Sequence, residues 1–182
     1  MTAIAPELAV TRWFNAAHPL SLGALRGRIV VLHAFQMLCP GCVAQALPQA
    51  ERLHRLFRSR PDIAIVGLHT VFEHHAAMTP VSLEAFIHEY RLTFPIGVDR
   101  HDDGEALPVT MTRYGMRGTP TTIVIAPDGR IVEQAFGQVD DLALGVLIGS
   151  LSARATIASD GAAAAEDRCV DGACPAPAGD TG

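Results

Sequence analysis

The segment Arg28-Ile-Val-Val-Leu-His-Ala-Phe35 is a nearly unbroken apolar run rich in β-branched residues. It predicts a strand buried on both faces. Pro40 then suits the first turn of a helix. Val43, Ala46, Leu47, Ala50, Leu53, Leu56 and Phe57 recur at helical spacing until Ser59-Arg-Pro61 ends the pattern. Pro48 falls inside it and predicts a kink. Ile63–Leu68 reads as the next buried strand. Ser82–Tyr90 reads as a helix with Ser82 as N-cap and Leu83, Phe86, Ile87 and Tyr90 on one face. Phe94–Val98 is a short strand. Thr121–Ile125, the turn Pro127-Asp-Gly129 and Ile131–Ala135 form a hairpin. Asp140–Leu151 closes the pattern as a helix. The sum is an α/β domain with a mixed sheet covered on both faces.

The two ends read differently. Residues 1–27 form a preamble around Trp13-Phe14 and the turn-like Asn15-Ala-Ala-His-Pro19. From Asp160 onward Val170 is the only large aliphatic residue, and Ala, Gly, Asp and Pro dominate. Such a stretch buries too little to fold. One domain over residues 1–155 is expected, followed by a flexible tail over residues 156–182 that carries Cys169 and Cys174. No internal repeat is present.

Composition narrows the function. The 182 residues suffice for one substantial core, and 49% hydrophobic against 18% charged content is that of an ordinary globular chain. Net charge is −5, and the 14 basic residues, all Arg, form no cluster, which argues against nucleic acid as a partner. No apolar run is long enough to span a bilayer. The first residues lack a basic leader and a sustained apolar stretch, so the cytoplasm is the expected location. In a reducing compartment, closely spaced cysteines point to catalysis or metal binding rather than to a disulfide scaffold.

Cys39-Pro-Gly-Cys42 follows the first buried strand directly and opens a helix. Unpaired backbone N–H groups and the positive helix end both favour thiolate at the first sulfur. An ordinary thiol with a pKa near 8.5 is only about 3% ionised at pH 7. Lowering that pKa to about 7 brings the fraction to about half. The spacing also suits half of a zinc site, whose only further cysteines are Cys169 and Cys174. Two inert buried cysteines are the remaining reading.

At this point the chain resembles the thioredoxin-like superfamily, in its TlpA/ResA-like redoxin (AhpC/TSA-type) branch. The resemblance rests on Arg28-Ile-Val-Val-Leu-His-Ala-Phe-Gln-Met-Leu-Cys-Pro-Gly-Cys42 and Tyr114-Gly-Met-Arg-Gly-Thr-Pro-Thr-Thr-Ile-Val-Ile-Ala-Pro-Asp-Gly-Arg-Ile131. The preamble, with Trp13, Asn15 and Pro19-Leu-Ser-Leu22, is also similar to thioredoxin-like domains fused to NHL repeats. The resemblance implies a central mixed sheet flanked by helices, with a central insertion. It implies thiol–disulfide exchange, with Cys39 as attacking thiolate and Cys42 as buried resolving thiol. Pro40 and Gly41 space the pair, Pro120 is the cis-proline facing it, and Thr119 presents its backbone to substrate. Expected partners are a protein or small-molecule disulfide and a redox partner that gives or takes electrons; no cofactor is expected.

The chain departs from the family pattern at several positions. His33 stands where many thioredoxins carry a buried Asp, and either a proton acceptor for Cys42 or a core histidine bonded to backbone fits that place. Gln45 replaces a Glu common in the branch, Leu38 replaces a Trp, and Pro48 lies one residue late. A peroxiredoxin-like thiol peroxidase is the rival enzyme, yet Gln36 stands where that family has Thr, and Arg117 lines up with its Arg only after a shift. A metal-binding module using Cys39 and Cys42 is the other alternative. His69, His74 and His75 beside Glu73, and His101, Asp102 and Asp103, match no ligand spacing and read as solvated loops. Asp171-Gly172 predicts a turn that brings Cys169 and Cys174 together as an auxiliary dithiol able to exchange with the main pair.

Overall fold

The computed structural model describes the backbone of residues 3–166 and the side chains of residues 3–155. Six strands form one sheet: β1 (Val10–Phe14), β2 (Ile29–Phe35), β3 (Ile63–His69), β4 (Ile96–Asp99), β5 (Thr121–Ile125) and β6 (Ile131–Phe136). Their order is β1-β4-β3-β2-β5-β6. β2, β3 and β4 run parallel, while β1, β5 and β6 pair antiparallel. Every residue of β2 is buried, as its apolar run requires of the strand at the centre.

Four α-helices accompany the sheet: α1 (Leu47–Phe57), α2 (Pro80–Glu89), α3 (Val109–Arg113) and α4 (Asp141–Glu166). Side-chain alternation along β2 separates two cores. Ile29, Val31 and Phe35 pack with Cys42, Leu47 and Ala50, with Leu83 and Ile87 of α2, and with Leu144 and Ile148 of α4. On the other face Val30, Leu32 and Ala34 meet Leu22 and Leu25 of the preamble and Met111 of α3. Among the described residues no helix is long and apolar enough to cross a membrane.

Several boundaries differ from expectation. The preamble contains β1, a sheet edge whose mixed burial hides its periodicity. α2 begins at Pro80, and its N-cap is Thr79 rather than Ser82: Ser82 N–H donates to Thr79 Oγ1 at 3.2 Å. Pro80 supplies the reason, since Pro at the first helical position needs no N–H partner. The Pro48 irregularity takes the form of a π-helical turn over Cys42–Ala46, in which Leu47 N–H donates to Cys42 O. Pro48 has no N–H to offer the carbonyl four residues back, so the wider turn relieves its clash. α4 runs past the expected end at Leu151, through the expected boundary at residues 155/156, to Glu166. Alanine-rich sequence favours helix even where it buries little, a preference the burial argument left out. Cys169 and Cys174 lie outside the described residues.

Candidate active site

β2 ends at Phe35, and the chain turns through Gln36, Met37 and Leu38 into the cysteine motif. Cys39 N–H donates to Gln36 O at 3.2 Å, which fixes that turn. Cys39 is partly exposed and Cys42 is fully buried; both are free thiols. Their Sγ atoms lie 2.6 Å apart. Cys42 N–H donates to Cys39 Sγ at 3.3 Å. The first sulfur therefore receives a backbone N–H and the neighbouring thiol.

Opposite the motif, the Thr119–Pro120 bond is cis, as the family resemblance implied. Thr119 O lies 3.5 Å from Cys39 Sγ. A Cβ added to Gly41 would sit 3.5 Å from Pro120 Cδ, so the middle of the motif packs closely on the proline ring. Pro40 is exposed in the first helical turn. Cys39, Pro40, Gly41, Cys42, Thr119 and Pro120 thus form one constellation.

Burial, first, and the hydrogen bond to Cys39, second, push the Cys42 thiol up to about 12. His33 also belongs to this side of the sheet, since it shares the β2 face of Val31 and Phe35, which pack with Cys42. Its Nδ1 lies 3.3 Å from Thr122 Oγ1, and its Nε2 is buried without a partner. Burial brings its pKa down to about 4. The ring is neutral at pH 7 and a poor proton acceptor. Among the described residues its hydrogen-bond partner is a hydroxyl, not the backbone group weighed from the sequence.

Three other residues earn a place that sequence reasoning missed. Thr122 orients His33 from β5, across a strand pair invisible to local spacing. Gln36 is buried, accepts Phe72 N–H at 3.2 Å and donates to Glu73 Oε1 at 3.3 Å. It ties the motif to the β3–α2 loop. His69 belongs to no solvated loop: it is the last residue of β3, 1% exposed, with neither ring nitrogen bonded. Its ring packs on Phe35 at 5.3 Å between centroids. Glu73, His74, His75, His101, Asp102 and Asp103 are exposed, as expected. Among the described residues no group of three or more His, Cys, Asp or Glu is placed to hold a metal ion.

Comparison with known proteins adds the lineage. The sequence profile of the AhpC/TSA family matches residues 1–134. The chain belongs to the AhpC/TSA family. Among solved structures, this AhpC/TSA-family chain is similar to a thioredoxin-like superfamily protein at 51% identity, with a TM-score of 0.78 over 81% of this chain and 95% of the other. It is similar to a thiol-disulfide isomerase from Corynebacterium glutamicum at 47% identity, with a TM-score of 0.76 over 81% of this chain and 96% of the other. Thiol-disulfide oxidoreductase ResA of Bacillus thuringiensis is 27% identical over 119 residues, which is 65% of this chain and 61% of that protein. The match thus spans about three fifths of that relative's own length.

Proposed function

We propose that this chain is a thiol–disulfide oxidoreductase that exchanges disulfides through Cys39 and Cys42, with protein or small-molecule disulfides as substrates. The observation that carries the reading is the sulfur pair: 2.6 Å apart, one accessible and one buried, with a backbone N–H on the accessible one. The names of the ResA and isomerase relatives support the same chemistry.

The Cys39 thiolate attacks one sulfur of the substrate. A Cys39–substrate disulfide forms, and the substrate's other sulfur leaves as a thiolate that takes a proton from solvent. Cys42, once deprotonated, attacks Cys39 Sγ and expels the second substrate thiolate. Two electrons have passed to the substrate, and the Cys39–Cys42 disulfide remains. A dithiol partner reverses that oxidation; in a reducing compartment such as the cytoplasm expected above, the net direction is reduction. Thr119, beside Cys39, would pair its backbone with the substrate chain, and Pro120 would line the approach.

Resolution needs a thiolate at Cys42. Two of the causes that raise its pKa, a hydrogen bond and a charge, come from Cys39 itself. Both disappear when Cys39 is bonded to substrate, which removes that part of the upward shift while burial remains. His33 would assist as a donor in the tautomer whose Nδ1 accepts from Thr122, which leaves the proton on Nε2, on the face where Cys42 packs.

The test is turnover of a protein disulfide. Cys39→Ser should lose activity to background, and Cys42→Ser should accumulate a stable mixed disulfide visible by mass. Turnover by Cys39→Ser would refute the assignment. The peroxidase reading is weaker, because the Gln36 amide is held by Glu73 and Phe72 while Arg117 lies over the Phe136 ring. Faster consumption of peroxide than of protein disulfide would restore it.

Cys169 and Cys174 would form a second dithiol that passes electrons to the main pair. Ser152 bonds Asp62 beside the start of β3, the pole opposite Cys39. α4 runs on from Ser152 to Glu166, about 21 Å of helix, so exchange with the same chain's Cys39 spans more than the roughly 20 Å length of β2. Trapping with Cys42→Ser and sizing the product separates exchange within a chain from exchange between two chains. Absence of any tail-to-core disulfide would retire the idea.

A further inference from the structure

Arg117 is a cation that the fold holds in place without pairing it to a carboxylate. Its guanidinium carbon lies 5.3 Å from the centroid of the Phe136 ring. Among the described residues no ion pair or side-chain hydrogen bond joins it to an acidic group. Elsewhere the arginines Arg12, Arg52, Arg55, Arg60, Arg100 and Arg130 each meet an Asp or Glu.

The ring beneath it is equally specific in placement. Phe136 ends β6, the edge strand of the sheet, and is 51% exposed. It sits directly on Gly118: a Cβ there would come within 2.9 Å of Phe136 Cε2. The next residue, Gly137, donates its N–H to Pro120 O at 2.8 Å. Tyr114 O accepts from Gln134 Nε2 at 3.0 Å, tying the loop before Arg117 to the same strand. Phe136 is therefore anchored to the Thr119–Pro120 segment, and the guanidinium is anchored to Phe136.

Arg117 is two residues before Thr119, so their Cα atoms are at most about 7.6 Å apart. Thr119 O is itself 3.5 Å from Cys39 Sγ. A disulfide presented to Cys39 along Thr119 brings its neighbouring side chains within reach of the cation. Leu38, next to Cys39 in the chain, is 57% exposed and uncharged.

We infer that Arg117, preorganised on Phe136, selects substrates: the site takes peptide disulfides that carry an acidic side chain beside the reacting cysteine. The inference rests on the exchange reading above and specifies its substrate class. A carboxylate meeting Arg117 gains a charge-assisted, planar contact. The guanidinium is already oriented by the ring, so little side-chain freedom is lost on binding. Substrate that covers the pair also removes solvent from it.

The experiment compares three synthetic peptide disulfides, identical except for Asp, Asn or Lys beside the cysteine, with the whole protein and a dithiol reductant. The expected order of kcat/KM is Asp over Asn over Lys, with an Asp-to-Asn ratio of about three to five at low ionic strength. That ratio should shrink toward one in 0.5 M salt, a reagent condition in which screening is nearly complete beyond about 4 Å. It should fall to about one in Arg117→Gln, and part-way in Phe136→Leu, which keeps apolar bulk but removes the π face. Arg117→Lys should retain part of it. Equal rates for the three peptides, or a ratio that survives Arg117→Gln, overturns the inference while leaving the exchange reading intact. If the wild-type protein reduces none of the peptides, the exchange reading falls and takes the preference with it.

Discussion

Cys42 is a thiol whose acidity is set first by burial and next by its neighbour Cys39. Burial comes first among the causes that raise it to about 12, but the bond and charge from Cys39 follow. Blocking Cys39 with a neutral alkylating reagent should therefore lower the Cys42 pKa. Titration of thiolate absorbance in that adduct reads the shift, and no fall would refute the coupling. His33→Ala should slow resolution of a trapped mixed disulfide by about tenfold, the scale of one hydrogen bond to a charged group. It should also move the pH profile of that step upward, and His33→Gln, which keeps a donor, should recover part of the rate. An unshifted profile would leave His33 as a packing residue. At this scale the cysteine motif was legible because its chemistry is local. The partners of His33 and His69 were not, because strand register and burial set them. His69 looked like a loop residue only because β3 runs one residue beyond the obvious apolar run.

Among the elements, the start of α2 gives a direct test. Thr79→Ala should cost about 1 kcal/mol, the usual value of an N-cap, while Ser82→Ala should cost less because its backbone N–H remains. Urea denaturation of both variants decides between the two caps. Gly118→Ala should cost about 1–3 kcal/mol, since its new methyl group meets Phe136 at 2.9 Å. The main strands and helices were readable from apolar runs and helical spacing. β1, an edge strand, and α3, of only five residues, carry too little periodicity to stand out. The π-helical turn is a compromise with Pro48, and sequence marks the proline without dictating the form of the distortion.

Taken whole, the molecule carries two imidazoles that folding strips of water. Burial lowers His33 and His69 to about 4 each, from the ordinary value of 6.5. Well above pH 6.5 both are neutral folded or unfolded, and neither makes stability depend on pH. As pH falls from 6.5 toward 4, the unfolded chain takes up protons that the fold refuses, so stability drops; below 4 the loss levels off. The expected loss is on the order of 3 kcal/mol per ring. Urea midpoints between pH 7 and 4.5 should show it, and His69→Leu should flatten about half of the slope. A midpoint independent of pH over that range would contradict the burial of both rings. The overall mixed sheet followed from the order of apolar runs; which faces α1, α2 and α4 cover did not, because that depends on packing between distant segments.

α4 begins where Asp141 meets Gln49 and Arg52 of α1 and passes Asp62 at the opposite end of the sheet. Ser150, exposed near that far end, is therefore a natural anchorage. Immobilising the molecule there on a bead or electrode would hold it with Cys39 directed outward into bulk solution.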